Sequence, residues 1–395
     1  MVNYLKRTWA KVSLDEIRHN FRLIKNQLDD NVKIMSVVKA DAYGHGAKFV
    51  APMLDKLGTD WFAVSNIEEA LQLRELSINK PILILGYTPP FMADILSDNN
   101  ISQALLNKDY ANELNKEAEK LGKCVKVHIK IDTGMSRIGF VHHNVNESES
   151  LNDILSINRS NLDFEGIFTH FASSDTDGDE SGEFTNKQFN LFCDIIEKLK
   201  NNNIHFRLHH CCNSAATLNN KNMHLDMVRP GIILYGLNPS SYFDNKFNLH
   251  PAMTLKSVVS MTKKVKANES VSYGRTFVAD KDITVATIPV GYADGYPRLL
   301  SNNGYVIING QKAKIIGRVC MDQMLVDISG IDNVTSGTEV LLFGNDGENL
   351  LPIDDFARLC NTINYEIVCL IGKRVTRVFI EDGKETSTLN YVYNL

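Results

Sequence analysis

The feature that most constrains the fold of this chain is a repeat of short β-rich runs. Between residues 33 and 235 these runs recur roughly every 20 to 40 residues, with helical stretches between them. The eight runs span residues 33–38, 61–64, 82–85, 102–105, 125–131, 164–170, 206–212 and 227–229. Strands that alternate with helices build a parallel sheet, because each helix returns the chain to the starting edge. Eight such units favour a closed (β/α)8 barrel over an open doubly wound sheet.

The pattern changes after residue 238. Strand-like runs there span residues 255–265, 283–290, 305–308, 313–319, 324–328, 340–343 and 374–380, and one helix is predicted at 353–361. The predicted fold class is therefore α/β, with an N-terminal (β/α)8 TIM-type barrel followed by a mostly β C-terminal domain. We place the two domains at residues 1–240 and 241–395. The strand-like segment 8–14 is a candidate strand of the second domain, which would then include about the first 12 residues.

The charge balance argues against a nucleic-acid partner. The chain has 42 basic and 47 acidic residues, a net charge of −5, and the basic residues are scattered. The N-terminal sequence MVNYLKRTWAKVSLDEI lacks the apolar stretch of a secretory signal, and no window approaches the roughly 18 apolar residues of a membrane span. We expect a cytoplasmic protein that binds neither nucleic acid nor membrane.

The cysteines predict neither disulfides nor a metal site. There are seven, and no two form a C-x-x-C pair, which is typical of a reducing compartment. His209, His210, Cys211 and Cys212 are adjacent, but successive strand residues point to opposite faces of a sheet. We therefore predict no metal ligand set.

Polar residues at the carboxyl ends of the predicted strands are candidates for function, because barrel active sites are built there. They are Lys39, Asp132, Arg137, His170, Asn213, Ser214 and Arg229. Lys39 lies in SVVKADAYGHG after the first strand. Desolvation at such a position lowers the pKa of a lysine, so that its amine can attack an aldehyde and later accept a proton. A lysine that extends to the barrel rim explains the position equally well. The glycines of this segment do not complete a dinucleotide fingerprint, because Phe49 stands where the third glycine belongs.

Two segments predict a phosphate site. Asn213–Ser–Ala–Ala follows the seventh strand and Arg229–Pro–Gly–Ile follows the eighth, where barrels commonly bind phosphate at a helix N-terminus.

Apolar and polar residues alternate in VKVHIKID, residues 125–132, so the polar side chains share one face of the strand. If that face lines the barrel, the buried charge of Lys130 needs a negative partner. Arg137 nearby either binds a carboxylate or phenolate or is an ordinary surface arginine.

Taken together, these segments resemble the alanine racemase family. The matching motifs are VVKADAYGHG, KIDTGMSRIGF, NSAA, MVRPGIILYGL, VSYGRTF, PVGYADGYPR, GRVCMDQMLVDIS and NYEIVC, in family order. The resemblance implies pyridoxal 5'-phosphate as cofactor and a homodimer whose two active sites each combine residues of both subunits. It implies interconversion of L- and D-alanine, with D-alanine supplied for bacterial cell-wall peptidoglycan.

The resemblance also assigns roles to individual residues. Lys39 looks like the cofactor-binding lysine and the base on one face of the cofactor, and Tyr273 of the partner subunit looks like the base on the other face. Arg229 is expected at the pyridine nitrogen and His170 near the ring. The residues expected to bind the cofactor phosphate and its surroundings are Tyr43, Asn213, Ser214, Gly231, Ile232 and Tyr365. The residues expected to contact the substrate or to form its narrow entrance are Arg137, Met321, Tyr292 and Tyr365. In the family the lysine at the Lys130 position is often carboxylated, and Cys212 departs from the usual alanine.

Three alternatives stay open at the level of sequence. A serine or broad-spectrum amino-acid racemase would use the same chemistry, although Tyr365 favours alanine. A non-catalytic pyridoxal-phosphate carrier would have the barrel alone, and the β domain with Tyr273 argues against it. A metal-dependent barrel hydrolase would use His209, His210 and Asp132.

Overall fold

A computed structural model describes residues 3–393, which form two compact units. The barrel unit comprises Arg18–Ala42 and Ala47–Leu249. The β unit comprises the N-terminal segment through Ile17, Tyr43–Gly46, and the chain from His250 onward. No helix within residues 3–393 is both long and apolar enough to cross a membrane.

The β unit contains the first strand, β1 (Thr8–Ser13), and the barrel unit contains nine strands. Eight of these form the barrel, and the two-residue strand Phe140–Val141 pairs in parallel with the fifth of them. The barrel strands are β2 (Lys33–Val37), β3 (Trp61–Val64), β4 (Ile82–Ile84), β5 (Ile101–Leu105), β6 (Val125–Asp132), β7 (Leu162–Phe168), β8 (Leu208–His210) and β9 (Met227–Val228). Neighbours in the order β9-β2-β3-β4-β5-β6-β7-β8 pair in parallel. The Arg229 amide donates to the Cys212 carbonyl at 3.0 Å and joins the two ends of the sheet. The predicted (β/α)8 barrel is confirmed, and each of the eight predicted runs contains one strand.

Helices follow the barrel strands and begin at recognisable signals. They are α1 (Leu14–Lys25), α2 (Ala47–Lys56), α3 (Ile67–Glu75), α4 (Ala93–Asp98), α5 (Lys108–Lys120), α6 (Glu149–Leu155), α7 (Asp179–Asn201) and α8 (Ser214–Asn219). Asn66 and Asn107 cap α3 and α5, because their side-chain oxygens accept the amides of Glu69 at 3.0 Å and Tyr110 at 2.8 Å. Strands β3 and β4 are buried at every residue, as expected of a parallel sheet covered on both faces.

The β unit is mostly strand, as predicted. Its further strands are β10 (Met253–Val258), β11 (Met261–Val265), β12 (Ser270–Val271), β13 (Phe277–Val278), β14 (Ile283–Ile288), β15 (Tyr305–Ile308), β16 (Gln311–Lys314), β17 (Met324–Asp327), β18 (Glu339–Asn345), β19 (Leu350–Leu351), β20 (Thr376–Glu381) and β21 (Lys384–Leu389). The larger sheet has the order β16-β15-β18-β10-β1-β20-β21, and a smaller one has the order β11-β14-β17. Strand β1 pairs antiparallel with β10 and parallel with β20.

Three details of the β unit differ from the sequence prediction. The run 255–265 is two strands rather than one, and the run 313–319 leaves strand geometry at Lys314, ahead of Gly317 with φ +73°. The helix α9 (Ile353–Leu359) was expected, but α10 (Asn364–Leu370) was not. The seven residues NYEIVCL of α10 are rich in β-branched and apolar types, so local propensity did not indicate a helix.

Candidate active site

Lys39 follows β2 and begins a left-handed turn. Residues 40–42 have φ angles of 51°, 54° and 54°, although none is glycine. This conformation costs roughly 1–2 kcal/mol per residue, so other contacts must hold it. The carboxylate of Glu69 accepts the amides of Ala40 and Ser65, both at 2.7 Å, and that of Asp41 accepts the amide of Ala47 at 2.8 Å. Glu69 is thus a supporting residue that sequence reasoning missed, since it lies 29 residues further along the chain.

Arg229 is buried at the end of β9 and is held on several sides. Its Nη2 donates to the carbonyl of Thr169 at 2.8 Å and to that of Cys211 at 3.0 Å, and its Nη1 donates to Nδ1 of His210 at 2.9 Å. Burial lowers the pKa of the guanidinium from 12.5 to about 10, which leaves it charged at neutral pH. The side chain is therefore a rigid cationic donor inside the barrel.

Lys130, on β6, is a buried lysine whose terminal amine contacts a backbone carbonyl and an aromatic ring. Its Nζ donates to the carbonyl of Ile131 at 2.7 Å and lies 5.6 Å from the ring centre of Phe168. Burial lowers the pKa of Lys130 from 10.5 to about 7, and the charges of Arg229 and Arg137 act in the same direction against that of Asp132. A large fraction of this amine is therefore neutral at physiological pH. Only 3% of the Lys130 surface is exposed, which fits the expectation that its face of the strand lines the barrel.

His170 lies just beyond β7 in a field of positive charge. Burial holds its pKa well below the usual range, and the charges of Arg229, Arg137, Lys130 and Lys39 lower it further. The imidazole is therefore neutral, with Nδ1 3.3 Å from Nη2 of Arg229. The basic side chains that act on His170 give this end of the barrel a positive potential, which suits it to an anion.

The two segments predicted to bind phosphate are hydrogen-bonded to each other. The hydroxyl of Ser214, at the start of α8, accepts the amide of Gly231 at 2.8 Å. Asn213 caps α8 by accepting the amide of Ala216 at 3.1 Å, and Ile232 opens a short 3-10 turn. The structure therefore brings together Ser214 and Gly231, which are 17 residues apart in sequence.

Arg137 and Asp132 lie in the barrel unit, where Asp132 accepts the amides of Gly134 and Ser136 at 3.0 Å, and the remaining predicted residues lie in the β unit. The rings of Tyr43 and Tyr365 are 6.2 Å apart and tilted. Tyr273, Tyr292 and Met321 are exposed by 71%, 44% and 53% of their surfaces. Hydrogen bonds connect the loops that carry these residues. The amide of Tyr292 donates to the carbonyl of Cys320 at 3.1 Å, and the hydroxyl of Ser272 donates to the carbonyl of Arg318 at 2.6 Å. These three side chains form an exposed apolar and aromatic patch, which we call the Tyr273 patch.

Two further residues of the barrel interior were missed or misjudged from sequence. Phe168 stacks on His210 at an interplanar angle of 4°, and the Arg229 guanidinium lies 5.5 Å from its ring centre. His210 was considered only as a metal ligand, whereas its Nδ1 faces Arg229. Its neighbour His209 points elsewhere and bonds to Asp226 at 2.7 Å. The alternation of strand side chains was the available signal, since it separates the two histidines.

The chain is similar to known proteins along almost its whole length. Family profiles described as "Alanine racemase, N-terminal domain" and "Alanine racemase, C-terminal domain" match residues 12–239 and 252–379. An alanine racemase of Clostridium novyi (strain NT) is 42% identical over 395 residues, which covers 99% of this chain and 100% of that protein. An alanine racemase 1 of Clostridium acetobutylicum is 43% identical over 394 residues, with coverage of 99% and 100%.

Solved structures are similar to the same extent. An alanine racemase of Clostridium difficile 630 superposes with a TM-score of 0.92 at 39% identity and covers 99% of this chain and 100% of its own. A further structure of the C. difficile 630 protein is a complex with cycloserine. The alanine racemase of Bacillus anthracis with bound L-Ala-P superposes with a TM-score of 0.92 at 34% identity and 99% coverage of both chains.

Proposed function

The chain belongs to the alanine racemase family, and from that premise we propose that it interconverts L-alanine and D-alanine with pyridoxal 5'-phosphate as its cofactor. The observation that carries the proposal is the arrangement at the carboxyl end of the barrel. Lys39 follows β2, and Nη2 of Arg229 lies 3.3 Å from Nδ1 of His170. The hydroxyl of Ser214 accepts the amide of Gly231 at the same end. A lysine beside a rigid arginine and a hydroxyl-capped anion site is the donor set that an anionic aldehyde cofactor requires.

The residues present fit pyridoxal phosphate in chemical terms. When bound, the cofactor supplies an aldehyde that takes up an amino group and a conjugated ring that acidifies the substrate's α-carbon. Ser214, Asn213, Gly231 and Ile232 are proposed to hold its phosphate, and Tyr43 and Tyr365 are assigned to the same set by motif position. His170 is proposed to pack near the ring as a neutral imidazole.

Arg229 is proposed to face the pyridine nitrogen. Its guanidinium is held by two carbonyls and His210 and has a pKa of about 10, so it donates a hydrogen bond without giving up a proton. By donating to that nitrogen without protonating it, Arg229 would limit how much negative charge the ring could take up, which would favour return of the proton to the substrate's α-carbon over side reactions such as transamination.

Inversion is proposed to use two bases on opposite faces. The Lys39 amine removes or returns the α-proton on one face, and the phenol of Tyr273 of the partner subunit does so on the other. The 71% exposure of Tyr273 supports this assignment, because a side chain so exposed is available to a second copy of the chain. We infer a homodimer in which the Tyr273 patch, including Tyr292 and Met321, completes the partner's site and its entrance.

Arg137 is proposed to bind the substrate carboxylate together with Met321. A carboxylated Lys130 would supply the negative partner that orients Arg137, since the carbamate exchanges a cation for an anion. The pKa of about 7 supports this assignment, because only the neutral amine reacts with carbon dioxide.

Carboxylation of Lys130 is expected to depend on pH in a defined sense. Because the pKa of Lys130 is lowered to about 7, the reactive neutral form increases as pH rises from 6 to 8. Protein held in labelled bicarbonate should therefore show a carbamate carbon signal that is stronger at pH 8 than at pH 6. Lys126→Ala, an exposed lysine change on the same strand, should keep the signal, and Lys130→Ala should remove it. A signal that survives Lys130→Ala would overturn the assignment.

Alanine is expected to be preferred over serine. A hydroxyl in a small pocket is typically worth about 1–3 kcal/mol, so kcat/KM should favour alanine by roughly 10- to 200-fold. Circular dichroism of the purified protein with each enantiomer of alanine and serine measures this directly and is the main test of the proposed function. Equal rates would instead indicate a broad-spectrum racemase. Bound cofactor without turnover of either amino acid would indicate a carrier protein.

The proposed physiological role is supply of D-alanine for peptidoglycan in the cytoplasm. The membership of the family supports this role. Expression of the chain in a bacterium that lacks its own alanine racemases should restore growth without added D-alanine.

A further inference from the structure

A line of buried polar contacts runs from Arg229 into the barrel interior, with hydrogen bonds as far as His128 and a longer contact from there to Glu165. Nη1 of Arg229 is 2.9 Å from Nδ1 of His210, and Nε2 of His210 is 2.9 Å from Nδ1 of His128. Nε2 of His128 is 3.5 Å from a carboxylate oxygen of Glu165, which also accepts the hydroxyl of Ser102 at 2.6 Å. We call this series the Arg229–Glu165 chain. Strands β5, β6, β7 and β8 each contribute one of its members.

The chain allows one arrangement of protons. A guanidinium only donates, so Nδ1 of His210 must accept and the proton of this ring is on Nε2. That proton is donated to Nδ1 of His128, whose own proton is therefore on Nε2 and points to Glu165. A second proton on either imidazole would place two donors face to face.

The electrostatics agree with this arrangement. Burial holds the pKa of His210 well below its usual range and lowers that of His128, so both rings are neutral. Burial acts to raise the pKa of Glu165, but its contacts with His128 and Ser102 outweigh this and lower it to about 2. The chain thus has a cation at one end, an anion at the other, and two neutral imidazoles with fixed tautomers between them.

We propose that Glu165 is a positioning residue for Arg229, acting through His128 and His210. The carboxylate faces the last proton of the series, so both rings can keep the tautomers that Arg229 requires and present an acceptor to it. The arginine is thereby held as a donor with its remaining N–H groups directed away from His210. This inference rests on the proposed function, in which those groups meet the pyridine nitrogen of the cofactor.

The test uses Glu165→Gln, which keeps the shape of the side chain and removes its charge. An amide is a weaker acceptor than a carboxylate and can also donate to Nε2 of His128, so the preference of that ring for the Nε2–H tautomer is reduced. In protein without cofactor, selective ¹⁵N labelling of histidine should show one neutral Nε2–H tautomer for His128 and His210 in the wild type. Glu165→Gln should add the other tautomer at His128, whereas the contact of His210 with Arg229 should keep that ring as Nε2–H. Histidine-to-glutamine changes at positions 128 and 210 assign the two signals.

The loaded enzyme gives a second readout. Glu165→Gln should shift the absorption of the bound cofactor and lower kcat by roughly tenfold, while KM stays within about threefold. Glu165→Asp, which restores the charge, should recover most of the spectrum and rate. Glu113→Gln is the matched control, because it makes the same chemical change at an exposed glutamate of α5. It should change neither readout.

The outcomes separate this proposal from the proposed function. Unchanged tautomers, spectrum and kcat in Glu165→Gln would overturn the positioning role. If Glu165→Gln does not fold, Ser102→Ala leaves the carboxylate charged with one donor fewer, so His128 should stay Nε2–H and its Nε2 proton signal should move downfield as that contact strengthens. No change of that signal overturns the positioning role equally. A wild type that takes up no pyridoxal phosphate would refute the proposed function, whereas the tautomer result in cofactor-free protein would still decide the role of Glu165.

Discussion

Lys39→Ala is expected to abolish both covalent attachment of the cofactor and racemisation. The amine is the only group assigned to bond the aldehyde, and it is also one of the two proposed bases. Loss of a positioned base alone lowers rates by about 10²–10⁴-fold, and loss of the covalent link should take the activity to the limit of detection. The visible absorption of the purified protein should disappear or revert to that of free cofactor.

Lys33→Ala is the matched control, since Lys33 is an exposed residue of the same strand. It should keep colour and turnover. A Lys39→Ala protein that still bonds the cofactor covalently would move the assignment to another lysine. Because Lys39 precedes three residues with φ near +50°, the free energy of unfolding should be compared as well, so that a folding defect is not mistaken for loss of chemistry.

Tyr273→Phe is expected to keep the cofactor and to lose racemisation by about 10²–10⁴-fold. The change removes only a hydroxyl from a side chain that is 71% exposed, so the fold and the cofactor absorption should be unaffected. The base on the other face stays in place. Exchange of the α-proton with heavy water should therefore continue for one enantiomer of alanine and stop for the other. Near-normal turnover in both directions would refute the two-base assignment.

Tyr305→Phe serves as the control for Tyr273→Phe, because its hydroxyl makes a long contact of 3.4 Å to Asp355 in the same unit. Mixing the two inactive proteins tests whether the sites are shared between subunits. Random exchange of Lys39→Ala and Tyr273→Phe subunits would give one intact site in each mixed dimer, or about a quarter of wild-type activity. No recovery after verified subunit exchange would show that both bases come from one chain.

The sequence predicted the barrel well because its signal is repeated and local. Every predicted run between residues 33 and 229 contains a strand, since buried parallel strands are short, apolar and separated by helices of adequate length. The β unit was harder to predict. Its strand β16 ends at Lys314 and its helix α10 consists of residues with strand propensity, so tertiary packing rather than local preference decided both.

Sequence was enough to propose those site residues whose location depends only on the end of a strand. Lys39, His170 and Arg229 follow strand ends, and Nη2 of Arg229 lies 3.3 Å from Nδ1 of His170. The left-handed turn after Lys39 was not predictable, because its alanines and aspartate favour no such conformation and Glu69 holds it from a distant helix. The partner of His210 was equally hidden, since Arg229 meets it only when the sheet closes into a barrel.

The place of β1 between β10 and β20 affects how the protein is made. Trp9 aligns with Thr376 in the parallel pairing of β1 with β20. One of the first strands to leave the ribosome therefore cannot form this pairing until one of the last has been synthesised. At typical elongation rates the delay is roughly 20 to 70 s, long enough for the barrel segment to fold first. Until β10 is synthesised β1 has no partner on either edge, and until β20 follows one edge stays open, which exposes an apolar strand to chaperones or to neighbouring nascent chains.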